Sequence, residues 1–213
     1  MTKKVSQSTK STFREYAEAI IIALILALFI RTFIIQAFKI PSGSMLPTLK
    51  IGDHLLVNKF IYGVKIPFSG KVLIPVKDPK PNDIIVFKYP ENPKLDYIKR
   101  VIGVGGDVVE SRNKTIFVNG KPFNDIYGYQ SSDTIIRGKR DNFGPITIPE
   151  GKVFVMGDNR DNSYDSRFWG YVDHKAILGK ALILYWSWDV TKPLLSSDRF
   201  TSVRWSRIGD IIH

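Results

Sequence analysis

The sequence predicts a mostly β protein, an antiparallel sandwich or barrel-like domain preceded by one N-terminal membrane helix. Three observations carry that expectation. An apolar run, Ile20 to Ile30, lies close behind a basic N-terminus. From residue 40 onward, short apolar runs are punctuated by Gly, Pro, Asn and Asp, the pattern of strands and tight turns. No long helical segment is interleaved among those runs, which favours antiparallel pairing over βαβ units.

The N-terminal segment comes first. Residues 1 to 14 hold Lys3, Lys4, Lys10 and Arg14 and no acid. The apolar run is then interrupted by Arg31 and resumes from Thr32 to Phe38. A spanning helix needs about 20 mainly apolar residues. Residues 17–38 reach that length with Arg31 snorkelling towards a headgroup. A cleaved signal peptide also has a basic start and a short apolar core. Ile34-Ile35-Gln36-Ala37-Phe38, however, is too bulky to offer a small-x-small cleavage pair. The expectation is an uncleaved anchor over 17–38. The basic residues 1–16 would stay cytoplasmic and residues 39–213 would face outward.

The strands follow in order. His54 to Phe60, Asp83 to Tyr89 and Tyr97 to Val104 each read as one strand. Val108–Glu110 and Thr115–Val118 read as a hairpin ending at Asn119-Gly120, and Gly151–Gly157 and Ile177–Trp188 complete the set. Residues 121–145 have little periodicity and are rich in Gly, Asp, Asn and Ser, so they are expected to form an excursion from the core. Pro67 to Pro81 is a shorter loop.

Composition narrows the function. There is no cysteine, which excludes disulfides, thiolate metal sites and a cysteine nucleophile. The three histidines, at 54, 174 and 213, are dispersed, so no metal site is expected. The net charge of +11 is spread along the chain. Beside an apolar segment and without a nucleic-acid motif, that charge points to lipid headgroups and not to nucleic acid.

Two local features carry chemistry. Pro41-Ser42-Gly43-Ser44 sets two serines on a constrained turn just past the anchor, and Lys99 sits among Tyr97, Ile98, Val101 and Ile102. A serine hydroxyl needs a base before it attacks. A lysine can be that base only when neutral. At its ordinary pKa of ~10.4, about one lysine in 2,500 is neutral at pH 7, and burial among apolar groups raises that share. A lysine on the solvent face of a strand remains the plainer alternative. The polar run Gly157 to Arg167 can hold turns and pair carboxylates with arginines, or be a solvated loop. Its spacing does not fit a calcium-binding EF-hand. Gly103-Val104-Gly105-Gly106-Asp107 lacks a phosphate-loop lysine and reads as a tight turn.

Taken together and in order, these motifs resemble those of bacterial type I signal peptidases, the leader peptidase family of Ser–Lys serine proteases. The resemblance runs from about Phe38 to the C-terminus. It rests on Pro41 to Leu49, Ile51 to Lys59, Asp96 to Val101 with Gly105-Gly106-Asp107, and Gly157 to Arg167, where Tyr164 is the variable position. The resemblance implies a β catalytic domain of the signal peptidase type and a membrane-anchored serine endopeptidase. Such an enzyme removes signal peptides from exported preproteins after small-x-small (Ala-x-Ala) sites, without cofactor or metal. It implies that Ser44 is the nucleophile and Lys99 the general base. Ser42 would support the oxyanion, and Ser163 would hydrogen-bond Lys99. Asp158 would pair with Arg100 and Asp165 with Arg167. Phe38, Ile40, Met45, Leu49, Val86, Tyr97 and Ile98 would line two shallow substrate pockets. The implied setting is the bacterial cytoplasmic membrane, crossed once, with signal peptides and membrane lipid as partners. Oligomeric state is not legible.

Other readings stand beside this one. Self-cleaving repressors share such a serine turn but carry a DNA-binding helix-turn-helix where this chain has its apolar segment. A conjugation-type maturation protease of the same clan is nearer. A non-catalytic, membrane-tethered peptide-binding domain is the non-enzyme alternative.

Overall fold

The computed structural model describes residues 12–65, 72–74, 76–192 and 201–213. Lys3, Lys4 and Lys10 lie outside the described residues, as do residues 67–71 and 75 of the loop expected from Pro67 to Pro81, within which Val72–Ile74 forms a strand. The helix α1 runs Thr12–Phe33 and buries no residue against the rest of the chain. Among the described residues it is the one helix long and apolar enough to cross a membrane.

The end of α1 corrects the expected anchor of 17–38. Ile35–Lys39 is not helical; it forms a strand, β1, antiparallel to Asp53–Asn58 with Ile35 opposite Asn58 and Lys39 opposite His54. Two adjacent β-branched residues, Ile34 and Ile35, favour extended backbone. Pairing satisfies the backbone polar groups, and Phe38 packs against the core. The helix thus begins five residues earlier and ends five residues earlier than the anchor the sequence suggests.

Among the described residues thirteen strands follow α1: β1 (Ile35–Lys39), β2 (Asp53–Asn58), β3 (Val64–Lys65), β4 (Val72–Ile74), β5 (Ile84–Tyr89), β6 (Asn92–Val104), β7 (Val108–Arg112), β8 (Thr115–Val118), β9 (Lys121–Pro122), β10 (Phe143–Thr147), β11 (Lys152–Met156), β12 (Val172–Asp173) and β13 (Ile177–Ser187). They make a seven-stranded sheet ordered β1-β2-β13-β5-β6-β11-β12 and a four-stranded sheet ordered β10-β7-β8-β9, with β3 and β4 as a separate pair. Every pairing between these strands is antiparallel. The mostly β antiparallel class is what the sequence predicts. The β7–β8 reversal falls at Asn113-Lys114, both at positive φ, and Asn119-Gly120 turns β8 into β9.

Alternation along the strands sorts the core into clusters. One holds Ile40, Met45, Leu49, Leu55, Val57, Ile84, Val86, Ala181 and Leu184, with Phe38 and Ile98 packed against it. A second holds Ile85, Phe87, Val101, Val153, Val155 and Ile177, with Tyr97 and Trp169 against it. A third joins the two sheets through Ile102, Val109, Ile116, Ile148, Phe154 and Met156. The expected excursion ends earlier than Pro145, because Phe143 already pairs with Ser111 in the small sheet. Its middle is held by charge: Asp161 accepts from the backbone of Ser131 and Ser132 and pairs with Lys114. Arg160 pairs with Asp125.

Candidate active site

The serine turn is pinned at both ends. Ile40 and Gly52 exchange backbone bonds with their neighbours, Ile40 N donating to Asp53 O at 2.8 Å and Gly52 N to Ile40 O at 3.0 Å. Between them, Leu46 N donates to Gly43 O and Leu49 N to Met45 O, so the chain coils tightly. Met45 and Leu49 are buried in the first core cluster. These two apolar anchors fix the turn and leave Ser44 half-buried on its crest and Ser42 exposed. Ser42 makes no hydrogen bond among the described residues.

The lysine comes from β6. Met156, the last residue of β11, pairs with Arg100, so β11 stops one position short of Lys99. Lys99 lies opposite Ile85 on β5, and its side chain shares a face with Tyr97 and Val101. It is only 4% exposed. Its Nζ lies 2.6 Å from Ser44 Oγ, within hydrogen-bond distance. Burial pushes the ammonium down to about 8, partly opposed by the carboxylates of Asp165 and Asp158 and reinforced by Arg167. At that value about one amine in ten is neutral at pH 7, against one in thousands for an exposed lysine.

The polar run after β11 wraps this pair. Gly157 must be glycine, because a Cβ there would come within 2.3 Å of both Ser44 O and Ser163 Oγ. Asp158 is fully buried and takes both arms of the Arg100 guanidinium, at 2.8 Å each. Its Oδ2 also accepts from Thr48 Oγ1 at 2.6 Å, which ties the pair to the serine turn. Arg100 completes its set with the carbonyls of Asn82 and His213, under the ring of Tyr127 at 3.8 Å. Asp165 holds Arg167 in a second bidentate pair and accepts from Gly157 N at 3.0 Å, while capping the short helix α2 (Ser166–Trp169).

Two sequence expectations differ from this geometry. Ser163 Oγ is buried next to Gly157 but has no hydrogen-bond partner, so the bond expected between it and Lys99 is not made. The Lys99 nitrogen is directed at Ser44 instead. Among the expected pocket residues, Phe38, Ile40, Met45, Leu49, Val86 and Ile98 share one apolar cluster. Tyr97 is the exception. Strand alternation turns it to the Lys99 face, where it stacks on Tyr89 with centroids 4.4 Å apart.

Two residues of the site fall within the quoted motifs but are given no role there. Asn159 clamps the serine turn twice, its N–H donating to Ser44 O at 3.1 Å and its Nδ2 to Gly43 O at 3.1 Å. Thr48 joins the turn to Asp158. Nothing in composition or periodicity gives either one its role; their three-dimensional partners do. Among the described residues, no group of three or more metal-ligating side chains occurs.

Comparison with known proteins shows the family. A model of the family described as "Signal peptidase, peptidase S26" matches residues 13–186. The chain is 38% identical over 206 residues to signal peptidase I of Pseudomonas aeruginosa, a match covering 82% of this chain and 72% of that protein. It is 37% identical over 228 residues to signal peptidase I of Aquifex aeolicus, covering 82% and 84%. A crystal structure of a signal peptidase I from Enterococcus faecalis aligns at 31% identity and a TM-score of 0.40, covering 49% of this chain and 97% of that one.

Proposed function

Because the chain belongs to the signal peptidase family, peptidase S26, and is a serine endopeptidase that removes signal peptides, we propose that a Ser44–Lys99 dyad does the chemistry. The observation that carries this reading is the 2.6 Å contact between Ser44 Oγ and a lysine nitrogen held out of water. Neutral Lys99 takes the proton from Ser44 as Oγ attacks the scissile carbonyl. The exposed Ser42 hydroxyl and the Ser44 N–H donate to the oxyanion. The Lys99 ammonium then passes its proton to the leaving amine, and the acyl group stays on Ser44. A water deprotonated by Lys99 releases it. Arg100 with Asp158, and Arg167 with Asp165, hold the strand and the polar run that frame the dyad. Ser163 lines the same wall.

The substrate binds extended. Beyond Lys99, the β6 backbone from Asn92 to Ile98 pairs, among the described residues, only with β5, which leaves its other edge for a peptide strand. Ile40, Met45, Leu49 and Val86 are packed walls with nowhere to retreat. Walls of that kind admit alanine and reject larger side chains by clash, which supports the small-x-small preference. The 22 residues of α1 span about 33 Å at 1.5 Å per residue, enough for a bilayer core. We assign α1 to a single pass of the bacterial cytoplasmic membrane, with the β domain outside. The five residues of β1 then carry the chain roughly 17 Å from the helix end towards the serine turn.

The test is processing of a preprotein whose signal peptide ends in Ala-x-Ala. Sequencing the product should give an N-terminus directly after the last alanine. Replacing that alanine by leucine should cut kcat/KM at least about a hundredfold, since the clash must be relieved by moving packed side chains. Efficient cleavage after leucine would overturn the pocket assignment.

A further inference from the structure

Most buried cations of the domain face a carboxylate. Arg100 pairs with Asp158, Arg160 with Asp125, Arg167 with Asp165 and Lys114 with Asp161. Lys99 has its own use. A further pair of cations, the exposed Arg31 and the partly buried Lys59, lies at the junction of helix and sheet. Arg31 lies in the last turn of α1. Lys59 is the residue after β2, and its backbone N–H donates to Ile34 O at 2.9 Å, one residue past the helix. Because Ile35 also pairs with Asn58, the end of β2 is fixed against the end of α1. Lys59 is partly buried there, and burial together with the nearby Arg31 charge holds its ammonium below the usual lysine range. Neither residue makes a salt bridge among the described residues. Two cations brought together with one of them desolvated cost free energy unless an anion sits between them.

Among the described residues the chain supplies no such anion at that place, but a bilayer does. We propose that Arg31 and Lys59 form a clamp for the phosphodiester of an anionic glycerophospholipid headgroup. This rests on the reading of α1 as a membrane span, which puts its C-terminal end at headgroup level. The exposed Phe29 and Ile30, just before Arg31, offer apolar surface at the depth of the acyl chains. A guanidinium fork and an ammonium match the oxygens of one phosphate. A headgroup with its own cation, as in phosphatidylcholine, competes with both side chains and fits less well. The clamp fixes the β domain's height and tilt over the membrane, because β1 leads straight from it to Ile40 and the serine turn.

The experiment uses the full chain in mixed micelles containing equimolar phosphatidylglycerol and phosphatidylcholine, with retained lipid counted by native mass spectrometry. The unaltered chain should retain phosphatidylglycerol at least about fivefold over phosphatidylcholine. Arg31→Gln and Lys59→Gln should each lower that retention by about fivefold, and the double variant should bring it to the phosphatidylcholine level. Lys121→Gln, an exposed change on the small sheet, should leave it unchanged. Preprotein cleavage in detergent should be the same in all these variants, since none touches Ser44 or Lys99; a failure there concerns the dyad and not the clamp. Equal phosphatidylglycerol retention in the double variant overturns the clamp. Displacement of the lipid by inorganic phosphate overturns the lipid assignment in favour of a soluble anion. Release of the unaltered chain from vesicles by alkaline extraction overturns the span and the clamp with it.

Discussion

Ser44→Ala and Lys99→Met are each expected to lower preprotein cleavage by about a thousandfold or more, because nucleophile and base act as one unit and neither works alone. The two variants differ in stability, and that difference separates a dyad from a merely structural contact. In the folded chain Lys99 titrates at about 8, below its ordinary 10.5. Between those values the unfolded chain binds the extra proton and the folded chain does not. Stability therefore rises with pH across that window, and the full penalty of the buried ammonium is present below about pH 8. The shift corresponds to about 3 kcal/mol. Lys99→Met keeps the length and apolar stem and removes the charge. It should raise Tm by roughly 5–10 °C at pH 7, with the gain shrinking from about pH 8 upward and gone above the ordinary lysine value of 10.5. Ser44→Ala should leave Tm within a few degrees. Thermal unfolding followed across pH checks both. A Lys99→Met chain that is less stable than its parent at pH 7 would show that the amine is held by attraction and not exposed to a desolvation cost.

The second large effect concerns Asp158. Arg100 and Asp158 are both fully buried, and each satisfies the other in two hydrogen bonds. Asp158→Ala leaves a guanidinium without a counter-charge in the interior and also frees the Thr48 hydroxyl. Breaking such a pair costs about 3–5 kcal/mol, or roughly 10 °C in Tm for a domain of this size. Activity should fall further than stability alone explains, even at low temperature. The same carboxylate joins the serine turn to the strand that carries Lys99. Replacing both partners by apolar residues, Arg100→Met with Asp158→Leu, should recover much of the stability and little of the activity. Full activity in that double variant would reduce the pair to scaffolding.

The sequence makes some of this legible and hides the rest, for physical reasons. Strands such as β5, β11 and β13 announce themselves as apolar runs between turn residues, because burial on a sheet face demands it. The end of α1 does not, since Ile34 to Phe38 is nearly as apolar as the helix before it. Only pairing with β2 decides that it is a strand. Ser44 and Lys99 are ordinary residues one at a time and become informative through the order of four motifs. Asn159 and Thr48 act through partners more than a hundred positions away, at Gly43 and Asp158, and no local pattern encodes such contacts. Tyr97 and Ile98 are adjacent in sequence, so a motif assigns both to the substrate pockets. Strand alternation sends them to opposite faces. The clamp residues Arg31 and Lys59 look like an interruption and a strand end until the fold brings them together.

The measurement that bears most directly on the proposed dyad is the pH dependence of kcat/KM for preprotein cleavage, which reports ionisations of the free enzyme. The rate should rise tenfold per pH unit below neutrality and level off around an apparent pKa of about 8, the value burial gives Lys99. A profile that is flat from about pH 6 upward, or one that keeps climbing to the ordinary lysine range, would contradict a buried neutral amine as the base.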